Sequence, residues 1–560
     1  MDKRRKAKVL MIQGTMSNAG KSYLTAGLLR IFRQDGYRCA PFKSQNMALN
    51  SFITPDGLEI GRAQAVQAEA AGVVPTADMN PVLLKPSSDT GSQIVVRGVP
   101  AADMPAREYF AYKKKLVPVI LGSFERLSRE YDIIVIEGAG SPAEINLKKD
   151  DIVNMGLAEM VDAPVLLAGD IDCGGVFAQL YGTVMLLPEK ERARIRGLII
   201  NKFRGDKSIL DPGIAMLEDL LHIPVAGVVP YMQAEIDDED SMSSRLGVRR
   251  AGEKRADVAV IHYPYISNFT DFRVLERAGA SVRYVSRAAD AGDPDLLILP
   301  GTKNTVRALS WLRESGLAEY VLKHAARGKP LIGICGGYQI LGTRLSDPDG
   351  TESGTAGTVM EGLGLIPAET VFTGTKRTVQ EKAVFRGIRG TFRALSGRKA
   401  EGYEVHMGRT FAVRAEAGTE AFGTGTGTAG TGTSGTGTSG TGTAGTGTQG
   451  KRTEAAGPEN RRLLTLESGE TEGYADGNIL GTYLHGIFDA PGVADAVIRA
   501  AGKGAGDNAP DGAAGYPGAE APETDYAAFR EAQYDLLADG LRRSLDMDLV
   551  YRILREQGGT

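Results

Sequence analysis

The sequence predicts an α/β protein built from two doubly wound domains, and three observations support this prediction. Near the start, an apolar run at residues 9–12 leads through a glycine-rich loop into an apolar helical segment. In the second half, the run at residues 331–334 leads through Gly-x-Cys-Gly-Gly into another helix-compatible segment. Strand, glycine turn and helix in this order are typical of parallel sheets covered by helices. At 560 residues the chain is too long for a single core, so we expect at least two domains.

The bulk composition excludes several classes of protein. The formal net charge of −4 gives no reason to propose a nucleic-acid or membrane partner. No segment approaches the apolar length of a membrane span, and the apolar run after the basic start is too short for a signal peptide. Cys39, Cys173 and Cys335 form neither a disulfide framework nor a metal-binding spacing. We therefore expect a cytoplasmic protein, and the sequence carries no signal for its oligomeric state.

Residues 14–22 read Gly-Thr-Met-Ser-Asn-Ala-Gly-Lys-Ser and form a P-loop with five residues between its glycines, where four are usual. Gly20 lets the backbone wrap a phosphate, Lys21 neutralises the terminal phosphates, and Ser22 offers a hydroxyl to Mg²⁺. The alternative, a chance glycine-rich turn, is disfavoured by Gly-Lys-Ser at a strand-to-helix junction. The stretched loop resembles that of dethiobiotin synthetase and its relatives, although Met16 stands where partition-type ATPases carry a lysine.

Two later strand ends add candidates to the nucleotide site. The buried run at residues 131–136 ends in Glu137, whose carboxylate would face the phosphate crevice and contact Mg²⁺, directly or through water. The alternative for Glu137 is a helix-capping carboxylate. The strand at 197–200 ends at Asn201, and the resemblance to dethiobiotin synthetases implies that this amide contacts adenine. The residues expected to bind ATP are Gly14, Thr15, Asn18, Gly20, Lys21, Ser22 and Asn201, with Ser22 and Glu137 holding Mg²⁺.

Between the P-loop and Glu137 lie three unusually polar stretches, at residues 41–51, 59–69 and 79–86. Side-chain amides and lysines beside a phosphate site suit the recognition of a substrate rich in carboxylates and amides. Each residue alone could equally be a turn former or part of a solvated helix face.

The Gly-x-Cys-Gly-Gly pattern predicts a nucleophile elbow, in which a tight turn lifts Cys335 out at the start of a helix. The helix N-terminus would favour the thiolate and could hold an oxyanion. The alternative is a buried small hydrophobic residue closing a strand. A thiol nucleophile needs a base, and His485 is the candidate because the glycines around it suit an accessible turn, with His406 as the rival.

Four motifs of the second half resemble a class I-like glutamine amidotransferase of the cobyrinate-amidating type. They are Pro-Gly-Thr-Lys-Asn at 300–304, Gly-x-Cys-Gly-Gly at 333–337, Tyr-Glu-x-His-Met-Gly at 403–408 and Tyr-Leu-His-Gly at 483–486. Together with the first half and its polar stretches, the chain resembles the cobyric acid synthase family over nearly its whole length. Two departures stand out. Ile487 replaces the glutamate that orients the histidine in ordinary class I glutaminases, and Cys173 stands where the family has arginine.

The resemblance implies an ATP- and glutamine-dependent amide synthase with Mg²⁺ and with glutamine as the ammonia donor. Cys335 and His485 would form a catalytic dyad, with backbone N–H groups near Gly301 and Gly336 holding the oxyanion; Asp489 or Glu404 is the candidate to orient the histidine. The implied substrate is adenosylcobyrinic acid a,c-diamide, amidated on its b, d, e and g carboxylates through acyl phosphates. Its cobalt would arrive inside the corrin.

Two alternatives remain open at the level of the sequence. One is the sister enzyme that amidates the a and c carboxylates, which Lys-Ser-Gln-Asn at 43–46 disfavours because an acidic loop is expected there. The other is a P-loop switch protein whose glutaminase-like domain serves only for binding. The presence of both Cys335 and His485 argues against this second alternative.

The expected domain boundaries follow from changes in composition. Residues 1–231 form the ATP-dependent synthase domain, 232–256 a charged linker, and 257–552 the glutamine amidotransferase domain. Two glycine-rich insertions, at about 421–452 and 502–523, contain too few apolar residues to build a core and are expected to be disordered surface loops. A closing helix is expected from Tyr526 to Leu545.

We predict that deletion of residues 421–451 is tolerated, because the Gly-Thr-rich repeat at 423–450 has no large apolar side chain to bury. The purified deletion variant should release glutamate from glutamine and amidate its substrate at rates close to those of the full chain. Soluble variant protein that has lost both activities would contradict the prediction.

Overall fold

The computed structural model describes residues 6–87, 91–236, 255–413, 461–502 and 525–557. Within them, two six-stranded sheets form the centres of two domains, as the sequence predicts. No helix in these ranges is long and apolar enough to cross a membrane. The predicted insertion at 421–452 and nearly all of the one at 502–523 lie outside the described residues, as does most of the expected linker.

The N-terminal domain is organised around a parallel sheet with the strand order β12-β11-β10-β1-β9-β2. Its strands are β1 (Lys8–Gly14), β2 (Cys39–Phe42), β9 (Ile133–Glu137), β10 (Val165–Asp170), β11 (Ile195–Phe203) and β12 (Val225–Pro230). Most of these strands are nearly continuous apolar runs, because helices cover both faces of the sheet. The helices are α1 (Lys21–Gln34), α2 (Arg62–Ala71), α3 (Ala106–Glu130), α4 (Met155–Met160), α5 (Val176–Leu186), α6 (Glu189–Arg192) and α7 (Asp211–Leu221).

The polar stretches between β2 and α3 build two small sheets beside this core. The first, with order β3-β6-β7-β8, contains β3 (Gln45–Met47), β6 (Val82–Pro86), β7 (Gly91–Val96) and β8 (Val99–Pro105). The second is the antiparallel pair β4 (Ser51–Ile53) and β5 (Glu59–Gly61). The β4–β5 pair packs against the C-terminal domain, where the side-chain amide of Gln380 donates to the carbonyl of Ile53 (N···O 2.7 Å).

The C-terminal domain has a second sheet with the order β14-β13-β15-β16-β26-β25, parallel except for its last pair. Its strands are β13 (Ala256–Ile261), β14 (Ala280–Val285), β15 (Leu296–Leu299), β16 (Leu331–Ile334), β25 (Tyr474–Asp476) and β26 (Ile479–Thr482). The helices that accompany it are α8 (Arg273–Arg277), α9 (Thr305–Glu314), α10 (Leu317–Ala326), α11 (Gly336–Leu341) and α12 (Val493–Ala501). The carboxyl ends of β15, β16 and β26 are neighbours, which brings the turns after these three strands together.

Two four-stranded sheets and several short 3₁₀ helices complete the described residues. One sheet contains β17 (Arg344–Asp347), β18 (Thr358–Glu361), β19 (Ala368–Val371) and β22 (Arg409–Ala412); the other contains β20 (Arg377–Phe385), β21 (Lys399–His406), β23 (Leu464–Leu466) and β24 (Thr471–Glu472). The 3₁₀ helices are Ala77–Met79, Ile145–Leu147, Lys207–Ile209, Phe269–Phe272, Ala288–Asp290, Arg393–Leu395 and Ile487–Asp489.

The C-terminal helices α13 (Tyr526–Ser544) and α14 (Met547–Glu556) correct the predicted domain boundary. The prediction assigned residues up to 552 to the second domain, but these helices pack on the first. Leu537 and Leu541 share an apolar core with Leu24 and Leu28 of α1. Arg30 of α1 forms an ion pair with Asp535 (N···O 2.7 Å). The N-terminal domain therefore includes α13 and α14, and its core is closed by a segment about 500 residues away in the sequence.

Candidate active sites

Cys335 occupies a sharp turn between β16 and α11, as Gly-x-Cys-Gly-Gly predicts. Its φ and ψ angles are 52° and −109°, which residues other than glycine adopt only under strain. Its backbone N–H donates to the carbonyl of Thr482 in the neighbouring strand (N···O 2.8 Å). Gly337 lies so close to the carbonyl of Leu299 that any Cβ would overlap it. The turn therefore holds the thiol at the N-terminus of α11.

His485 follows β26 and is buried together with a carboxylate from another part of the domain. Its Nδ1 lies 2.7 Å from Oδ2 of Asp271, and the N–H of Gly486 donates to Oδ1 of the same carboxylate (3.2 Å). The 3₁₀ helix Phe269–Phe272, which follows β13, carries Asp271. Among the described residues Nε2 has no hydrogen-bond partner. Because Nδ1 is held by the carboxylate, Nε2 is the ring nitrogen that remains for proton transfer.

The neighbours of His485 determine its protonation state. Burial alone lowers the pKa of an imidazolium, but the carboxylate of Asp271 and the thiol of Cys335 outweigh burial and raise the pKa of His485 to about 10. The ring is therefore a cation near neutral pH. A cationic imidazole beside a thiol stabilises the thiolate, which is the nucleophilic form of cysteine.

The structure differs from the expected dyad in supplying a third residue, Asp271. Neither predicted orienting carboxylate occupies Nδ1 of His485. Glu404 instead lies 3.1 Å from Nε2 of His406 and forms an ion pair with Arg377. The rival base His406 uses its Nδ1 on the carbonyl of Gly408 (3.1 Å) and stacks on Tyr483, with ring centroids 3.7 Å apart.

Sequence reasoning missed Asp271 because it lies more than 200 residues from His485. One signal was present: Asp271 is a polar residue next to the buried Phe272, shortly after the first strand of the sheet. Such a carboxylate falls at the edge where the carboxyl ends of parallel strands meet.

The turn after β15 lies against both the elbow and His485. A Cβ added to Gly301 would lie 2.9 Å from Cε1 of His485, and one added to Gly336 would lie 3.3 Å from the backbone nitrogen of Thr302. The backbone segments predicted to hold the oxyanion thus lie beside the thiol. Their role in binding it remains a prediction.

The P-loop closes between β1 and α1 with Asn18 and Gly20 in left-handed conformations, at φ 62° and 91°. Lys21 donates from Nζ to the carbonyls of Met16 and Gly140, both at 3.1 Å. The ammonium group therefore lies between the turn that follows β1 and the turn that follows β9. This is where the terminal phosphates of a nucleotide would need a positive charge.

Glu137 is the centre of a buried polar cluster beside Ser22. Its Oε1 accepts from the Ser22 hydroxyl (2.8 Å) and from Nζ of Lys43 (2.9 Å), and its Oε2 accepts from Gln67. The described residues contain no group of three or more His, Cys, Asp or Glu side chains arranged for a metal. Ser22 and Glu137 nevertheless fit Mg²⁺, because they are adjacent oxygen donors of the kind that this ion prefers. The ammonium group of Lys43 already binds the Glu137 carboxylate, which shows that this carboxylate accommodates a positive charge.

The other predicted nucleotide ligands support the shape of the loop. Asn201 donates from Nδ2 to the carbonyl of Ala19 (2.9 Å), and this amide lies directly over Gly20. The hydroxyl of Thr15 donates to Gln179 (3.1 Å). The carbonyl of Asn18 accepts from Nζ of Lys202 (2.7 Å). Gly14 ends β1. The contact of Asn201 with adenine remains a prediction, since the structure shows this amide bracing the loop.

Cys173 lies beside the phosphate site, at the position where arginine was expected. It is exposed, and its Sγ is 3.6 Å from Oδ2 of Asp170. The Asp170 carboxylate raises the pKa of this thiol. Nζ of Lys202 lies 2.7 Å from the same oxygen of Asp170. A cysteine cannot supply the positive charge of the expected arginine. The positive charge beside Asp170 comes from Lys202.

A cavity of about 1710 Å³ opens from the P-loop and extends to the second domain. The residues that line it include Lys21, Ser22 and Lys43 of the N-terminal domain and Arg273 and Glu276 of α8. It exceeds the range of roughly 300–1,000 Å³ that is usual for small-ligand sites. The cavity therefore has room for a nucleotide and a second, large ligand.

Comparisons with known proteins agree with this division into two sites. Residues 10–243 match the family model described as the CobQ/CobB/MinD/ParA nucleotide binding domain, and residues 257–448 match the CobB/CobQ-like glutamine amidotransferase domain. A cobyric acid synthase from Ruminiclostridium cellulolyticum is 50% identical over 98% of both chains. The chain belongs to the cobyric acid synthase family. Other members include cobyric acid synthases from Lachnoclostridium phytofermentans (49% identical; 98% of this chain, 99% of the relative) and Yersinia enterocolitica (44%; 98% of each).

Membership of the cobyric acid synthase family confirms the predicted enzyme class and fold. The chain is an amidating ligase of cobalamin biosynthesis that uses glutamine and ATP and acts on a corrinoid. Its N-terminal domain binds the nucleotide and its C-terminal domain is a glutamine amidotransferase. The amidotransferase match ends before His485, so the pairing of His485 with Cys335 is supported by the structure rather than by that match.

Proposed function

We propose that the chain converts adenosylcobyrinic acid a,c-diamide to adenosylcobyric acid by amidating its b, d, e and g carboxylates. The observation that carries the proposal is the presence, in one chain of this family, of a Cys335–His485–Asp271 group and a Lys21–Ser22–Glu137 group. The first group can release ammonia from glutamine, and the second can activate a carboxylate with ATP. The corrinoid is the substrate of both the proposed activation and the amidation.

At the glutaminase site, the Cys335 thiolate attacks the side-chain amide carbon of glutamine. Backbone N–H groups of the turns at Gly301 and Gly336 stabilise the oxyanion that forms. The His485 imidazolium gives its Nε2 proton to the leaving ammonia, which leaves a glutamyl thioester on Cys335. Water, deprotonated at the same nitrogen, then hydrolyses the thioester to glutamate. Throughout, Asp271 holds the ring by Nδ1 and balances its positive charge.

At the nucleotide site, the chain positions ATP and the corrinoid carboxylate for phosphoryl transfer. Lys21 neutralises the terminal phosphates, and the N–H groups of the P-loop cradle them. Ser22 and Glu137 would hold Mg²⁺, which would supply further positive charge at the β- and γ-phosphates. Attack by the substrate carboxylate on the γ-phosphorus gives an acyl phosphate and ADP. Ammonia then displaces phosphate and leaves the amide.

The dimensions and lining of the cavity support binding of the corrinoid next to ATP. Beyond the P-loop, the walls combine apolar side chains with cationic ones: Met47, Phe110 and Leu147 with Lys113 and Lys148. Apolar walls suit the faces of a macrocycle, and lysines suit its carboxylates. Because an acyl phosphate is labile in water, we also propose that ammonia reaches it along a protected path between the domains.

The compartment proposed for this reaction is the cytoplasm. The mechanism needs Cys335 as a free thiol, and Cys39, Cys173 and Cys335 are all free. Free thiols suit a reducing compartment.

The test of the proposed function is mass spectrometry of the corrinoid after incubation of the purified chain with the a,c-diamide, glutamine, ATP and Mg²⁺. Four successive conversions of acid to amide support the proposal. An unchanged corrinoid contradicts it, and so does amidation of the a and c carboxylates when cobyrinic acid is supplied in a parallel incubation. The second outcome would assign the chain to the sister reaction.

A separate prediction concerns Lys21 alone. Lys21→Ala should lower the rate of ATP-dependent amidation by about 10³-fold, because one preorganised charge at the transferring phosphoryl group is lost. Glutamate release by the same variant should stay within about threefold of the unmodified chain, since the carbonyls that Lys21 bonds, those of Met16 and Gly140, belong to the N-terminal domain. Lys207→Ala, an exposed lysine of the same domain, is the control and should leave both rates unchanged. Full amidation by Lys21→Ala would refute the assigned role.

A further inference from the structure

Residues 43–51, here named the bridging segment, connect the nucleotide site to the glutaminase site. At one end, Lys43 bonds the carboxylate of Glu137 beside Ser22. In the middle, Gln45, Asn46 and Met47 line the large cavity. At the other end, Asn50 and Ser51 are buried against the C-terminal domain. The segment therefore reaches from the proposed ATP site to the second domain within nine residues.

Asn50 caps the short helix that carries Asp271. Its Oδ1 accepts a hydrogen bond from the backbone N–H of Phe269 (3.1 Å), the first residue of the 3₁₀ helix Phe269–Phe272. The residue in the usual capping position, Asn268, makes no side-chain cap and has a left-handed φ of 53°. The cap comes instead from the other domain. Asn50 is only 1% exposed, so water is a poor substitute for this bond.

Ser51, the next residue, is connected to His485 through Tyr403. The Tyr403 hydroxyl donates to the carbonyl of Ser51 (3.0 Å) and accepts from Nδ2 of Asn268 (2.8 Å). The Tyr403 ring stacks on the His485 ring, with centroids 5.5 Å apart and planes inclined by 22°. The two residues also exchange backbone hydrogen bonds, of 2.9 and 3.1 Å. The hydroxyl and the ring of Tyr403 thus join the N-terminal domain to the proposed base.

We propose that Asn50 is a positioning residue of the glutaminase, supplied by the synthase domain, and that it acts with Ser51 and Tyr403 to orient Asp271 and His485. This inference rests on the proposed glutaminase role of Cys335. The hydrogen bond of Asn50 is made to the helix that carries Asp271 and not to the thiol. It acts by fixing the start of the helix that carries Asp271, while Ser51 fixes the ring that packs on His485.

This arrangement makes glutamine hydrolysis dependent on the contact between the domains. A displacement of Asp271 or His485 by about 1 Å is enough to slow a reaction by about 10²-fold. Any shift of the bridging segment when ATP or the corrinoid binds would be passed to both residues through Asn50 and Ser51. The bridging segment is therefore the structural link through which the synthase site governs the supply of ammonia.

The test measures glutamate release by the full-length chain and by Asn50→Ala, with kcat and KM determined separately. We expect kcat to fall by about 10- to 100-fold with KM changed less than threefold, because the group that aligns the base is lost while the glutamine pocket is kept. Amidation supplied with free ammonia should stay near the rate of the unmodified chain. That second result would separate a local effect on alignment from general loss of folded protein.

Gln380→Ala is the matched control, since it removes another side-chain hydrogen bond between the domains, to the carbonyl of Ile53, and keeps the backbone pairing of residue 380 with Tyr403. It should leave kcat for glutamate release unchanged. An equal loss in Gln380→Ala would overturn the proposal by showing that the interface as a whole is responsible. A kcat of Asn50→Ala within twofold of the unmodified chain would also overturn it.

If Asn50→Ala does not yield folded protein, Tyr403→Phe decides the question in the same assay. It removes the hydroxyl that bonds Ser51 and keeps the ring that stacks on His485. A fall in kcat of about tenfold supports the proposal, and an unchanged kcat overturns it. Absence of glutamate release from the unmodified chain would instead contradict the proposed function itself, so the two failures are distinguishable.

Discussion

Cys335→Ala is expected to abolish the release of glutamate from glutamine while amidation supported by free ammonia continues. The reason is that the thiolate forms the covalent intermediate, and no other group at the site can take its place. Loss of the nucleophile from a group of residues that act as a unit lowers kcat by about six orders of magnitude. Glutamate release is measured with a coupled assay, and amidation by mass spectrometry with ammonium chloride in place of glutamine.

The control for Cys335→Ala is Cys173→Ser, which changes the exposed thiol beside Asp170 in the other domain. It should retain glutamate release. The two activities of Cys335→Ala are the informative pair: loss of glutamate release with ammonia-supported amidation preserved assigns the thiol to ammonia production alone. Glutamate release that persists in Cys335→Ala would rule out the nucleophile and favour a C-terminal domain that only binds glutamine.

The local motifs of both sites could be predicted from the sequence because their chemistry is contained in a few adjacent residues. Gly20, Lys21 and Ser22 define the phosphate loop by themselves, and the glycines around Cys335 define the elbow. In each case backbone geometry forces the pattern: Gly20 has a φ of 91° beneath the Asn201 amide, and Gly337 lies against a backbone carbonyl. Patterns of this kind are visible without any knowledge of the rest of the fold.

The residues that orient these motifs could not be predicted, because tertiary structure alone brings them in. Asp271 is 214 residues from His485, and its place after the first strand of the sheet does not by itself connect it with that histidine. The same holds for helices α13 and α14, whose amphipathic pattern is compatible with either domain. Their place on α1 is decided by the apolar surface that α1 leaves uncovered, with Leu537 and Leu541 packing there.

The polar stretches before α3 were expected to recognise substrate, and the structure adds a second role for one of them. Lys43 neutralises Glu137, and Gln45 to Met47 line the cavity, as substrate recognition would need. Asn50 and Ser51, in contrast, accept hydrogen bonds from the C-terminal domain. A run of amides therefore serves two sites at once. On the proposed role of Asn50, this shared segment would let the enzyme keep ammonia release in step with carboxylate activation.

Asp271→Asn is expected to lower kcat for glutamate release by about 10⁴-fold, which makes it the second-largest effect of a single substitution. Asp271 accepts the Nδ1–H of His485, and this fixes the tautomer in which Nε2 can accept a proton from the thiol. An amide in the same place can donate to Nδ1, which puts the proton on the wrong nitrogen. The substitution leaves the volume of the side chain almost unchanged, so the fold should be kept.

The pH dependence gives this prediction a second readout. In the unmodified chain the pKa of His485 is raised to about 10, with burial opposing and Asp271 and Cys335 favouring the cation. Without the Asp271 carboxylate, burial should dominate and the pKa should fall toward or below its ordinary value. The ring of the variant would then be neutral from about neutral pH up to pH 10, a range in which the ring of the unmodified chain keeps its proton. The residual activity of Asp271→Asn should therefore decline at lower pH than that of the unmodified chain.

The control for Asp271→Asn is the same substitution at Asp489, a carboxylate close by in the 3₁₀ helix Ile487–Asp489 that directly follows His485 and Gly486. Asp489→Asn should change kcat by less than tenfold and leave the pH profile in place, because Nδ1 of His485 lies against Asp271 and not Asp489. If the two substitutions had the reverse effects, Asp489 would be the orienting residue in the working enzyme. The 2.7 Å contact between Asp271 and His485 would then have no part in catalysis.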